Sequence, residues 1–127
     1  MEDCNNVSTS IDMNVKMDNY ADSNKCDVKK YQELMGRLIF LSVNTRSDIA
    51  YMLSYLSQYN NDAREIHMRG LKRMLRYLRV TINYRLCFGG KNIKNRIDCE
   101  TDASWDTTID AKSFTGILIH RNGDFIQ

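Results

Sequence analysis

Asp98, Glu100 and Asp102 alternate along Ile97 to Ala103. If that stretch is a strand, all three share one face, because successive side chains point to opposite sides. Carboxylates on a common face are the starting material of two-metal phosphodiester hydrolysis, which needs several of them converging on ions ~3.5–4 Å apart. One strand supplies one or two such ligands, and the remainder would have to come from helices that this sequence does not contain. The plainer reading of Asp98 and Glu100 is the solvent side of an edge strand, where charge discourages edge-to-edge pairing. Other chemistries find less support. Ser8, Thr9 and Ser10 lack a His/Asp constellation for nucleophilic catalysis. Cys4, Cys26, Cys87 and Cys99 show no CxxC spacing, and His67 and His120 stand far from them, which argues against zinc. Gly89-Gly90 reads as a turn, since no helix follows to make a phosphate-binding loop.

A second constellation points to binding rather than catalysis. From Asn61 to Thr81, Leu71, Met74, Leu75 and Leu78 recur at i, i+3, i+4 and i+7, one face of a helix. Arg69, Lys72, Arg73 and Arg76 repeat that spacing on the opposite face, and Arg79 lies one turn beyond. Few acids stand at i,i+4 to these cations, so like charges repel along the face. Such a face is either simply solvated or made for an anionic partner, of which a phosphate backbone is the commonest. Asp62 is the expected N-cap, with Glu65 completing a capping box. His67 falls on the apolar side and reads as a packed or capping residue rather than a base. Tyr77 lies on the flank between the two faces, with its hydroxyl expected at the surface.

The elements that must position these groups follow from periodicity. Residues 1–28, rich in Asn, Asp and Ser, read as an extended or disordered lead-in. Tyr31, Leu34, Met35, Leu38 and Leu41 make a first helix, in which Gly36 suggests a close packing contact. Thr45 and Asp48 read as the cap of a second helix with Ile49, Met52, Leu53 and Leu56 on its apolar side. With the basic helix these make a compact three-helix bundle over residues 29–81. Residues 82–96 read as a strand (Tyr84 to Phe88), a turn and a basic connector. Residues 97–127 read as a strand, a polar loop from Trp105 to Lys112, and a hairpin about Asn122-Gly123. The expected class is therefore α+β, with an incomplete sheet after the bundle.

The chain has 127 residues and a net charge of only +2, which hides an asymmetry. Residues 1–30 carry a net −2, residues 31–96 a net +8 and residues 97–127 a net −4. The middle third is the electrostatic footprint. Scattered thiols and the lack of an apolar leader fit a reducing, intracellular setting, cytoplasm or nucleus, and no stretch approaches a membrane span.

Several ordered motifs together resemble the Pol polyprotein of copia-type LTR retrotransposons, where reverse transcriptase runs into ribonuclease H. Tyr31-x-x-Leu34-x-Gly36-x-Leu38-x-x-Leu41 resembles that family's YxxLxGxLxYL. Thr45 to Ala50 is similar to TRPDIA, and Leu56-Ser57-Gln58-Tyr59 to LSxF. Arg73 to Leu78 with Arg79 and Thr81 is similar to RVLRYLKGT, and His67 to the histidine that precedes it. Thr101 to Trp105 is similar to SDADW, Lys112-Ser113-x-x-Gly116 to KSTSG, and Ser8 to Met17 to the linker STPLDPNVKL. Ser10, Met13, Ser47 and Ala63 stand where the family usually shows proline, and Val80 and Arg85 where it shows glycine.

The resemblance implies that residues 29–81 are a thumb-like bundle gripping primer–template duplex, RNA–DNA hybrid or DNA. Arg69, Lys72, Arg73, Arg76 and Arg79 would face the nucleic acid. It implies that residues 97–127 are the first strands of a ribonuclease H-like domain. Asp102 then matches the first carboxylate holding Mg2+ in the parent enzyme, a vestige expected to bind no ion tightly here. The polymerase aspartates lie upstream of the matched region, and the hairpin's second strand begins just before Gln127. The chain is thus expected to be a truncated piece, inactive alone, whose partners are a duplex and the rest of the polyprotein. A reading from a different class is a freestanding three-helix DNA-binding module with the basic helix in the major groove.

Overall fold

A computed structural model describes residues 5, 7–10, 23–89, 96–104, 113–122 and 124–126. The Trp105 to Lys112 loop, Gly90 and the connector to Asn95, Gly123, and most of the lead-in lie outside these. The chain forms two compact units, Met1–Tyr84 and Arg85–Gln127.

In the first unit, α1 spans Val28–Asn44, a 3-10 turn Ser47–Ile49 leads into α2, Ala50–Ser57, and α3 spans Glu65–Val80. Asp27 caps α1 by accepting from the Lys30 amide at 3.2 Å, which draws its carboxyl below the usual range. Each helix buries the stripe that its spacing predicts. Tyr31, Met35 and Leu38 from α1 meet Ile49, Met52, Leu53 and Leu56, and Leu71 and Met74 from α3 close the core. Leu34, Leu75 and Leu78 pack at its margin, partly buried. The Tyr31 hydroxyl, wholly buried, donates to the Leu56 carbonyl at 2.8 Å, so a C-terminal carbonyl of α2 is satisfied from α1. Burial holds that hydroxyl's pKa well above the ordinary tyrosine range.

Four local expectations differ from what is observed. Gly36 is exposed, and a Cβ there would meet nothing within 4 Å, so no close contact requires glycine. Thr45 ends α1 rather than starting α2: its amide and hydroxyl both donate to the Leu41 carbonyl. Asp62 does not cap α3; Arg64 holds the N-cap position, and Asp62 pairs with its guanidinium at 3.1 Å. The capping acceptor is His67, not Glu65: its Nδ1 accepts from the Arg64 amide at 3.1 Å. The end of the lead-in is also held in place. Lys25 bridges Arg64 in antiparallel fashion, the Cys26 amide donates to Ala63 O, and the Glu65 amide donates to Asn24 O at 2.9 Å.

The second unit is a three-stranded antiparallel sheet in the order β1-β2-β3, with β1 Ile97–Ser104, β2 Phe114–Arg121 and β3 Asp124–Phe125. Ile97 pairs with Arg121 and Ser104 with Phe114. Asn122, at φ 57°, takes the left-handed turn that asparagine tolerates, and exchanges hydrogen bonds with Arg96. Residues 82–89 form no strand, although Tyr84, Leu86 and Phe88 alternate. All three are exposed, and among the described residues no neighbouring strand supplies a ladder. The observed class is α+β: three helices and a small antiparallel sheet. Among the described residues no helix is long and apolar enough to cross a membrane.

Candidate nucleic-acid interface

The basic helix owes its orientation to its other face. His67, Gly70, Leu71 and Met74 are buried, and this turns the 69/72/76 side outward. Arg69, Lys72 and Arg79 are exposed, and Arg73 and Arg76 are half-buried. The ten helical rises from Arg69 to Arg79 spread these cations along about 15 Å. Among the described residues Arg69, Lys72 and Arg76 form no ion pair. Arg73 is placed differently: its guanidinium donates to Thr9 Oγ1 at 3.1 Å. A segment of the lead-in therefore lies beside the basic face.

The far end of α3 is fixed by a cluster that periodicity does not reveal. Arg46 donates to both Asp48 oxygens, Nε at 2.9 Å and Nη2 at 2.8 Å. The same guanidinium reaches Thr81 O at 3.1 Å and Thr81 Oγ1 at 2.6 Å. Tyr77, on the flank, donates its hydroxyl to Asp48 Oδ2 at 2.8 Å. Arg46 also lies over the Tyr77 and Tyr84 rings, at 5.7 and 6.0 Å. A cation at the C-terminus of α3 suits the helix dipole and satisfies a carbonyl with no partner inside the helix. The carboxyl of Asp48 is held below its ordinary range chiefly by Arg46, against burial, with Tyr77 assisting. Asp48 thus serves as the counter-ion of a clasp and not as a helix cap. The sequence signal for it was the pair of segments 45–50 and 76–81, each with its own motif but no visible link.

Asp102 lies in β1 opposite Gly116, exposed, with Glu100 opposite Leu118 and Asp98 opposite His120. Arg96 donates to Asp98, so a cation already lies beside one member of the acidic face. Same-face neighbours on one strand stand roughly 6.6 Å apart, and one strand supplies only one or two of the several carboxylates that must converge on two ions. Among the described residues no group of three His, Cys, Asp or Glu side chains gathers closely enough to hold a metal. The described residues by themselves do not make a two-ion centre.

The chain is 34% identical over 98 residues to secreted RxLR effector protein 161 of Plasmopara viticola, covering 76% of this chain and 68% of that protein. It is 33% identical over 99 residues to the retrovirus-related Pol polyprotein from transposon RE1 of Arabidopsis thaliana, across 78% of this chain. Identity to the corresponding polyprotein from transposon TNT 1-94 of Nicotiana tabacum is also 33%, across 76% of this chain. The chain spans only 7% of the length of either polyprotein. No protein-family model matches it, and no solved structure matches it. The chain is thus similar to a short segment of retrotransposon Pol polyproteins.

Proposed function

We propose that the helical unit binds a nucleic-acid duplex through the outer face of α3, as the thumb of a copia-type reverse transcriptase does. One observation carries this reading. Arg69, Lys72 and Arg76 lie together on the side of α3 away from the core, with no carboxylate paired to them among the described residues. Uncompensated cations on a rigid helix gain most from a polyanion, where binding releases condensed counterions. Arg73 and Arg79 extend the same face. The sheet of residues 97–127 corresponds, in this reading, to the opening strands of a ribonuclease H-like domain, with Asp102 a vestige of its metal centre. Duplex binding is the activity proposed for the segment; cleavage is not.

The test is a titration of the full chain with an RNA–DNA hybrid and with duplex DNA at several salt concentrations. With three to five phosphates neutralised, log K should fall with log salt at a slope of about −3 to −5. Replacing Arg69, Lys72 and Arg76 with Gln should flatten the slope by about one for each cation lost and weaken all sequences alike, with helix content unchanged. A flat salt response in the parent chain would remove the reading. Strong discrimination between DNA sequences would instead favour a free-standing module with α3 in the major groove.

A further inference from the structure

Where α3 ends, its cations give way to apolar side chains that meet water. Val80, Ile82 and Tyr84 are 44%, 74% and 66% exposed. They do not sit on a loose strand of chain. The Thr81 amide donates to Tyr77 O at 3.0 Å, and the Tyr84 amide to Thr81 O at 2.9 Å, so a turn folds this stretch back on the helix end. The Tyr84 ring is fixed from one side by Arg46, whose guanidinium lies 6.0 Å from its centroid. That guanidinium is itself held by Asp48 and Thr81, with its side chain largely out of water.

The second ring beside Arg46 shows what is unusual about the first. Tyr77, 5.7 Å from the same guanidinium, packs against the core and is half-buried. Tyr84 has the same cation behind it and no such cover. A ring kept only to shield Arg46 would gain by burying its remaining surface, since an aromatic side chain carries a large apolar area. Tyr84 is instead a supported ring presented to solvent.

Charge limits what suits such a ring. The C-terminal end of a helix is the negative pole of its dipole and gives a phosphate no help, so the group on the ring should be flat and uncharged. The helix leading up to it carries Arg69, Lys72 and Arg76 on its outer side, which suit a polyanion. A single nucleic-acid strand joins both chemistries, with phosphates for the cations and bases whose π faces stack on an aromatic side chain whatever their identity. In a duplex those faces are already stacked on one another, and only an unpaired base offers one without the cost of unstacking.

We propose that Tyr84 is a stacking site for an unpaired nucleobase, giving the helical unit a single-strand binding activity besides its binding of duplex. Val80 and Ile82 widen the apolar surface around the ring, and Arg46 behind it makes the ring rigid before the base arrives.

The test compares two ligands of equal length and charge, an oligothymidylate and an oligodeoxyribose phosphate with no bases, on the full chain. Removing one stacking partner weakens binding roughly fivefold to a hundredfold per base. The parent chain should therefore bind the oligothymidylate about tenfold more tightly than the abasic strand, and the Tyr84 ring resonances should move upfield only with the former. Tyr84→Phe should keep that preference and Tyr84→Ala should erase it, with helix content followed by circular dichroism. Equal affinity of the parent chain for the two strands, or binding of neither, would overturn the proposal. So would a preference that survives in Tyr84→Ala, or a dimer of the parent chain that Tyr84→Ala dissolves, which would give the ring to a second copy. If Tyr84→Ala fails to fold, the abasic comparison and the ring shifts in the parent chain decide alone. No arm of the test contains duplex, so its failure leaves the duplex-binding reading standing, and a flat salt response with duplex leaves this one.

Discussion

Replacing Asp48 tests how the C-terminal end of α3 is held. Asp48→Ala removes both guanidinium–carboxylate bonds and leaves the Tyr77 hydroxyl without its acceptor. Breaking a buried pair by removing one partner costs about 3–5 kcal/mol, whereas exposed pairs contribute about 0–1 kcal/mol. The clasp falls between these limits, because the Arg46 side chain is 10% exposed and that of Asp48 37%. A cost of about 2 kcal/mol is therefore expected for Asp48→Ala. Asp48→Asn retains one acceptor oxygen and should cost about 1 kcal/mol. The pH dependence has a definite sign. The folded carboxyl titrates below its ordinary range, chiefly through Arg46, so its contribution is fully present above about pH 3.9. It disappears as pH falls through the lowered folded value. Urea unfolding followed by helix circular dichroism at about pH 7 and about pH 3 reads both effects. The parent chain should lose more stability on acidification than Asp48→Asn. If Asp48→Ala costs under about 0.5 kcal/mol at neutral pH, the clasp is an ornament of the surface and the reasoning fails.

Further expectations concern packing, backbone and catalysis. Leu71→Ala should cost about 2–5 kcal/mol in urea unfolding, and Leu75→Ala distinctly less, because Leu71 is fully buried and Leu75 only partly. Gly36→Ala should raise stability by roughly 0.5–1 kcal/mol, since the site is helical, exposed and open; a loss would reveal a contact at that face. No magnesium-dependent cleavage of an RNA–DNA hybrid is expected from the purified chain, because one strand supplies too few of the carboxylates that two ions need. Cleavage that disappears in Asp102→Asn would contradict this.

The helices were legible because burial follows a period. Tyr31, Met35, Leu38, Ile49, Met52, Leu53, Leu56, Leu71 and Met74 all lie where their spacing places them. The ends of the helices were less so. Thr45, Asp48 and Asp62 each had the side chain of a cap, but a cap is a competition among acceptors. Arg46 and Arg64 won the two carboxylates with charged, short-range contacts that no local pattern announces. The alternation of Tyr84, Leu86 and Phe88 likewise resembled a strand, yet a strand needs a neighbour as well as a pattern. Of the basic face, the spacing marked the outward side correctly for Arg69 and Lys72. It could not show that Arg73 reaches Thr9, a contact between residues 64 apart in sequence.

The bridge from Ser23 and Asn24 to the start of α3 spans more than forty residues, and this orders events in time as well as in space. Closing a loop of that length costs about 3 kcal/mol of chain entropy, growing only slowly with further length. The turns of α3 beyond the first need no such closure, since their hydrogen bonds lie four residues apart. The bridge therefore belongs to the last contacts formed and the first broken. Ser23→Ala should hasten unfolding and leave the folding rate nearly untouched, a φ-value near zero. A helix whose basic face assembles early and whose first turn is secured late presents its cations, during folding, before it is finished.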